Sequence, residues 1–266
     1  MNFNPGDFEI LDAHIHPVPG NIPGTDLSLF GSRTDPAKTV EELRAAGISR
    51  AAGAVIRRFR PVPASFAEIH ELNEACLAIR DRFPDFYLPG IGVHPLFPEA
   101  SCREIEVMHR DRGVRLVGEL VAYMMGYDNY ACPELDPVWA LIRDLDMAVN
   151  LHLNRLEEAA DILRRFPTLK LIIAHPTASP ADYTARLELI AQYPNAALDI
   201  SGSGPNSWGM VRHGIRTAGL DKIVFGTDYP IRNPGMYVAG VYAEKLTDAE
   251  MTAVFSGNLK RLLGIA

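Results

Sequence analysis

The sequence predicts a single-domain (β/α)8 TIM barrel over residues 1–266, on three observations. Short runs rich in Val, Ile and Leu alternate with helical stretches eight times along the chain, the order expected of a parallel barrel. The length of 266 residues suits one barrel, for which ~250 is typical. Groups of metal-ligand type stand at the ends of five of the runs, where barrels build their sites.

The strand-like runs fall at 8–15, 50–56, 86–93, 114–121, 148–153, 170–174, 197–200 and 222–226. Most are apolar on both faces, as strands covered by helices must be. Asp35-Pro36 opens the first helix with an N-cap and a proline at its first position, and Gly47 follows its end. Ser65 opens the next, with Phe66, Ile69, Leu72, Ala75, Cys76 and Ile79 at spacings of three and four and Pro84 just beyond. Stretches 135–145, 156–166 and 181–193 repeat the pattern, and a last helix covers 248–263. An open doubly wound sheet would carry a Gly-rich phosphate loop after its first strand; here that strand ends in histidines. The Pro/Gly-rich stretch 17–32 reads as a long first loop over the site.

Composition bounds the function. The net charge of −7 disfavours a nucleic-acid partner, whose binding rests on phosphate neutralisation. Cys76, Cys102 and Cys132 are widely spaced with no CxxC, which fits reduced thiols and a cytoplasmic location. Residues 1–9 are polar, so no secretory signal is expected. No apolar run approaches the ~18 residues of a membrane span. The expected partner is a small-molecule substrate. A homo-oligomer is left open.

The chemistry concentrates in six residues. His14 and His16 share one face of the first strand and make half of a metal site. Glu119, His152, His175 and Asp228 end the fourth, fifth, sixth and eighth runs. Singly, each has an ordinary reading: a loop histidine, a glutamate paired with arginine, an aspartate capping a turn. Six at one barrel mouth are costly to desolvate without a cation. Nitrogen and carboxylate donors suit zinc, manganese or iron, with zinc expected first. A glutamate between two ligand sets can bridge two ions, so one or two divalent ions are expected.

At these residues the chain resembles the amidohydrolase superfamily of metal-dependent barrel hydrolases, from His14-x-His16 to Gly257-Asn258-Leu259-Lys260-Arg261-Leu262-Leu263-Gly264. Phe225-Gly226-Thr227-Asp228-Tyr229-Pro230 with that ending is similar to the amidohydrolase 2 branch, which includes hydrolases of cyclic esters and some decarboxylases. Gly92-Val93-His94-Pro95 and Val117-Gly118-Glu119 are similar to the TatD-like branch, whose strand-four glutamate bridges two metals. The resemblance implies that His14, His16 and Asp228 bind one metal, Glu119 bridges or joins it, and His152 and His175 bind a second. If Glu119 does not reach the metal, the site is mononuclear, with His152 as third histidine and His175 beside the water. The implied activity is hydrolysis of an ester, lactone or amide by metal-activated water, with Asp228 as general base. A decarboxylase of the same fold and a TatD-like nuclease or phosphoesterase are the alternatives. His94, Arg57, Tyr123, Asn154 and Tyr229 follow strand ends and are candidate substrate contacts, with Arg232 and Trp208 further along. Arg57, Arg58 and Arg60 fit either an anion clamp or a solvated loop.

Overall fold

The computed structural model describes residues 6–30, 34–203 and 207–266. Eight parallel strands run in sequence order: β1 (Leu11–Ile15), β2 (Arg50–Gly53), β3 (Tyr87–Ile91), β4 (Leu116–Leu120), β5 (Ala148–Leu151), β6 (Lys170–Ile173), β7 (Ala196–Asp199) and β8 (Ile223–Val224). The ring closes between β8 and β1. Ala13 N–H donates to Phe225 O at 2.9 Å, Asp228 N–H to His14 O at 2.8 Å and His16 N–H to Tyr229 O at 2.7 Å. These last two bonds tie both sides of the barrel seam to residues that the sequence marks as ligands. The architecture is the (β/α)8 barrel.

The helices are α1 (Pro36–Ala45), α2 (Ala67–Arg82), α3 (Pro98–Arg112), α4 (Ala122–Met125), α5 (Asp136–Asp144), α6 (Leu156–Arg165), α7 (Pro180–Ala191), α8 (Met210–Ala218), α9 (Pro234–Ala243), α10 (Asp248–Thr252) and α11 (Asn258–Leu263). Asp35 caps α1 by accepting from Ala37 N at 2.7 Å and Lys38 N at 3.0 Å. At α2 the expected cap differs. Ser65 offers only its carbonyl, to Glu68 N, while the Glu68 carboxylate accepts from Ala64 N. The last helix is broken. A π-turn, Ala253–Gly257, separates α10 from α11, and Val254 O there accepts from Phe225 N at 2.9 Å. Helix distortion therefore satisfies a donor just past the short strand β8.

Two apolar layers hold the barrel. Leu11, Leu116, Ala148, Ile172, Ala197 and Val224 cluster with Leu259, Leu262 and Leu263 of α11 toward the N-terminal ends of the strands. The larger cluster lies between strands and helices. The opposite end is left to polar side chains. No helix among the described residues is long and apolar enough to cross a membrane.

Candidate metal centre

The strand ends bring the six residues together. His14 Nε2 lies 3.3 Å from His16 Nε2. Glu119 Oε2 is 3.1 Å from His14 Nε2 and 3.2 Å from His16 Nε2. Asp228 Oδ1 stands 3.8 and 3.6 Å from the same nitrogens. The other Glu119 oxygen, Oε1, is 3.1 Å from His152 Nδ1 and 3.3 Å from His175 Nε2. Local backbone aims these groups. Gly118 has φ +96°, and a Cβ there would lie 2.3 Å from Asn150 O, so only glycine lets β4 turn Glu119 inward. His175 and Asp228 hold φ of 65° and 64°, a conformation costing about 1–3 kcal/mol each that persists where surrounding structure enforces it. For Asp228 the enforcing contacts are its bond to His14 O and the bonds that its own carbonyl accepts from Ile231 N and Arg232 N.

The hydrogen-bond network fixes the tautomers. His14 Nδ1 is 3.0 Å from Asp199 Oδ2, an acceptor, so the hydrogen sits on Nδ1. His16 Nδ1 faces Ala54 O at 3.3 Å, with the same consequence. Ser201 donates its hydroxyl hydrogen to Asp199 Oδ1 and lies 2.9 Å from His175 Nδ1. Its oxygen therefore accepts from His175, whose hydrogen is also on Nδ1. Three imidazoles thus turn bare Nε2 lone pairs toward one carboxylate at 3.1–3.3 Å. Lone pair against lone pair is repulsive, and a cation removes the conflict. Donor atoms of His14, His16 and Asp228 lie within 4.8 Å of one another, as do those of His14, Glu119 and His175. The donor set fits a divalent metal.

Electrostatics agree. Without a cation a proton is drawn in instead: burial opposes protonation of His14, but Glu119 and Asp199 hold its pKa well above the ordinary value. Burial raises Glu119, but His14, together with His152 and His16, holds the carboxyl well below its usual range. Asp199 is lowered in the same way, against burial, by His14 and then by His175 and Ser201. Asp12 is different. Burial pushes it up to about 7 despite bonds from Thr227 and His14 N.

Asp199, Ser201 and Asn150, which donates to Asp199 Oδ2 at 3.0 Å, belong to the same hydrogen-bonded cluster and are not singled out by the sequence as candidate ligands or their orienters. Their signal was present in Leu198-Asp199-Ile200-Ser201 at the end of β7, the place where every other ligand strand carries its donor. Asp199→Ala removes the acceptor that sets the His14 tautomer. It is expected to lower metal affinity about 10–100-fold, read by competition with a chromogenic chelator. Gly202 packs on the same network: it has φ +63°, and an added Cβ would lie 2.3 Å from His175 Nδ1. Gly202→Ala is expected to displace His175 and cost about 10²-fold in turnover, with melting temperature as the control for folding.

A cavity of about 410 Å³ opens over the centre, lined by His16, Glu119, His152, His175 and Asp228. Leu27 of the first loop also lines it, while residues 31–33 of that loop and 204–206 after β7 lie outside the described residues. Tyr123 lines the cavity, with the Arg58 guanidinium 5.2 Å from its ring centroid. Arg232 lines it too, as does Arg186 of α7. The remaining candidate contacts point elsewhere. Arg57 pairs with Glu68 at 2.7 Å and Glu71 at 3.7 Å. His94 is buried, bonded through Nε2 to Met125 O at 2.9 Å and through Nδ1 to Leu96 N at 3.1 Å. Tyr229 donates to Glu42 at 2.5 Å. Asn154 is exposed and off the cavity wall. Trp208 is exposed beneath Arg212.

The barrel and its ligand-bearing strand ends define a metal-dependent class of enzyme, and comparison with known proteins places the chain within it. A model of the amidohydrolase 2 family matches residues 11–265. The chain belongs to that family. It is 28% identical over 104 residues to the uncharacterized protein y4mH of Sinorhizobium fredii; the match covers 34% of this chain and 35% of that protein, about a third of its length. The fold is shared with 2,6-dihydroxybenzoate decarboxylase from Rhizobium, at TM-score 0.73 and 17% identity over 97% of this chain and 99% of the other. It is shared equally with 5-carboxyvanillate decarboxylase from Novosphingobium aromaticivorans, solved with manganese, at TM-score 0.73 and 15% identity over 98% and 97%.

Proposed function

We propose that the protein hydrolyses a small-molecule ester, lactone or amide. The observation that carries this reading is the division of Glu119. One oxygen serves His14 and His16 and the other serves His152 and His175, all at 3.1–3.3 Å. A carboxylate shared in this way supports a pair of divalent ions, with His14, His16 and Asp228 on one side and His152 and His175 on the other. Zinc suits the donors, and the manganese of the carboxyvanillate decarboxylase makes it the second ion to test. Bound there, such ions polarise a carbonyl and lower the pKa of water toward neutrality.

The protein's own groups do the rest. Asp228, on the cavity wall, takes the proton of the attacking water and returns it to the leaving oxygen or nitrogen, so the products are an acid and an alcohol or amine. Asp199 and Ser201 hold His14 and His175 in the tautomers that leave Nε2 free. Leu27, Ile56, Val121 and Met124 form an apolar wall that limits water around the acyl group. Three unpaired cysteines support a reducing, cytoplasmic setting.

Decarboxylation is the second reading, favoured by the reactions named for the two structural neighbours. One experiment separates them. Protein loaded with zinc or manganese is offered a panel of lactones and esters, with acid release followed by pH indicator, and a panel of hydroxybenzoates, with carbon dioxide followed by coupled assay. Turnover of the first panel alone supports the hydrolase; carbon dioxide release alone replaces it.

A further inference from the structure

One buried charged residue of the cavity wall has no ion-pair partner among the described residues. Arg186 projects from α7 and is only 7% exposed. Its Nη1 is buried without a hydrogen-bond partner among the described residues. Its Nη2 reaches only Leu153 O, at 3.5 Å. The contrast with other arginines that are at least half-buried is sharp. Arg57 pairs with Glu68 at 2.7 Å, Arg165 bonds through Nη1 to the Asp136 carboxylate and Arg212 pairs with Glu244 at 3.1 Å, and all three side chains are more exposed. Leaving buried N–H groups of a charged side chain unbonded is costly. Burial accordingly lowers the Arg186 pKa, with Asp182 and Asp199 opposing from a distance. The same residue lines the cavity that holds His175, Glu119 and Asp228.

We infer that Arg186 is the anchor for a carboxylate on the substrate, an inference that rests on the small-molecule enzyme reading above. A planar guanidinium presents paired N–H donors that match a carboxylate. Its single uncompensated positive charge matches a monoanion and leaves the dianion of a phosphate monoester half-neutralised. Leu153, Ala174 and Ala178 line the same cavity and suit a compact apolar body between the anchored carboxylate and the metal-side groups. Arg232, exposed at the cavity, adds positive charge where the substrate enters. The substrate class is therefore a small organic acid that carries the reacting group on the same molecule.

The test is calorimetric binding of benzoate, benzamide and phenyl phosphate to the metal-loaded protein and to its Arg186→Gln and Arg186→Met variants. Benzoate is expected to bind the parent at least about tenfold more tightly than benzamide does, and to lose that margin in both variants. Both unliganded variants are expected to melt no lower than the parent, because an unpaired buried charge has been removed. Benzoate affinity unchanged within twofold in the variants overturns the inference, as does benzoate binding that chelation abolishes and the substitutions leave alone. Phenyl phosphate binding more tightly than benzoate, with the same dependence on Arg186, overturns the carboxylate assignment. Binding needs no turnover, so failure to hydrolyse any ester leaves this test intact, and an unchanged benzoate affinity leaves the hydrolase reading intact.

Discussion

Asp228→Asn is expected to lower kcat by about 10²–10⁴-fold, the range lost with a general base, while most of the bound metal remains. The asparagine keeps an oxygen of the same reach, so it can still face His16 Nε2 and His14 Nε2, which stand 3.6 and 3.8 Å from Asp228 Oδ1. What it loses is the ability to take a proton. The backbone is held by Asp228 N–H bonded to His14 O at 2.8 Å, so the substitution leaves the turn in place. KM should move little, because the proton is transferred only as the reaction proceeds. Asp228→Ala removes ligand and base together and is expected to lose metal as well as turnover. Metal content and kcat measured on both variants separate the two roles. Near-parent kcat in the asparagine variant would move the base to another residue.

The candidate ligand set was legible because two regularities coincide in it. Side chains alternate along a strand, so His14 and His16 had to share a face. Strand ends converge only if the barrel closes, which brings Glu119 and Asp228 to the same point from positions far apart in sequence. What the sequence hid was anything defined by a contact rather than a position. Asp199 is an ordinary residue after a strand until His14, 185 residues away, is seen at 3.0 Å. Arg186 sits within an amphipathic helix, where an arginine normally reads as a solvated one; its burial arises in a helix that packs against β7 and α8.

Substrate contacts were read from proximity to strand ends, and proximity says nothing of direction. Tyr229 directly follows Asp228, so it leaves the seam on the other side and meets Glu42. Arg57 finds Glu68 in the first turn of α2, a local pairing that the run of three arginines concealed. Helix α3 was equally obscure. Its sequence, PEASCREIEVMHRDR, carries charge throughout, and its buried side rests on Ser101, Glu104, Ile105 and Met108, too thin an apolar stripe to stand out.

Removing the metal is expected to have the largest effect on stability, with a pH dependence of defined sign. A metal present at about 1,000 times its Kd stabilises by about 4 kcal/mol, and at roughly 2–4 °C per kcal/mol for a chain of this size chelation should lower Tm by roughly 8–16 °C. In the chelated protein the proton on His14 replaces the cation. Burial disfavours that proton, but Glu119 and Asp199 lift the folded-state pKa above the ordinary 6.5. Such a group stabilises fully below the unfolded pKa and loses its contribution as pH rises through the folded one. Glu119 runs the other way. Its folded pKa lies below 4.5, so its contribution is present above that value and is lost in acid. Between them the chelated protein is most stable at roughly pH 4.5–6.5 and weakens on the alkaline side. The loaded protein moves oppositely, because fewer protons compete for the imidazoles. The Tm gap between loaded and chelated protein should therefore widen steadily from neutral toward alkaline pH. Glu119→Gln supplies the control, since it removes the strongest influence raising His14. In that variant metal content should fall from the proposed two ions per chain to one or none, and the alkaline slope of the chelated protein should flatten. A chelated Glu119→Gln variant that keeps the parent's slope would show that His14 and Glu119 do not share the proton which the cation displaces.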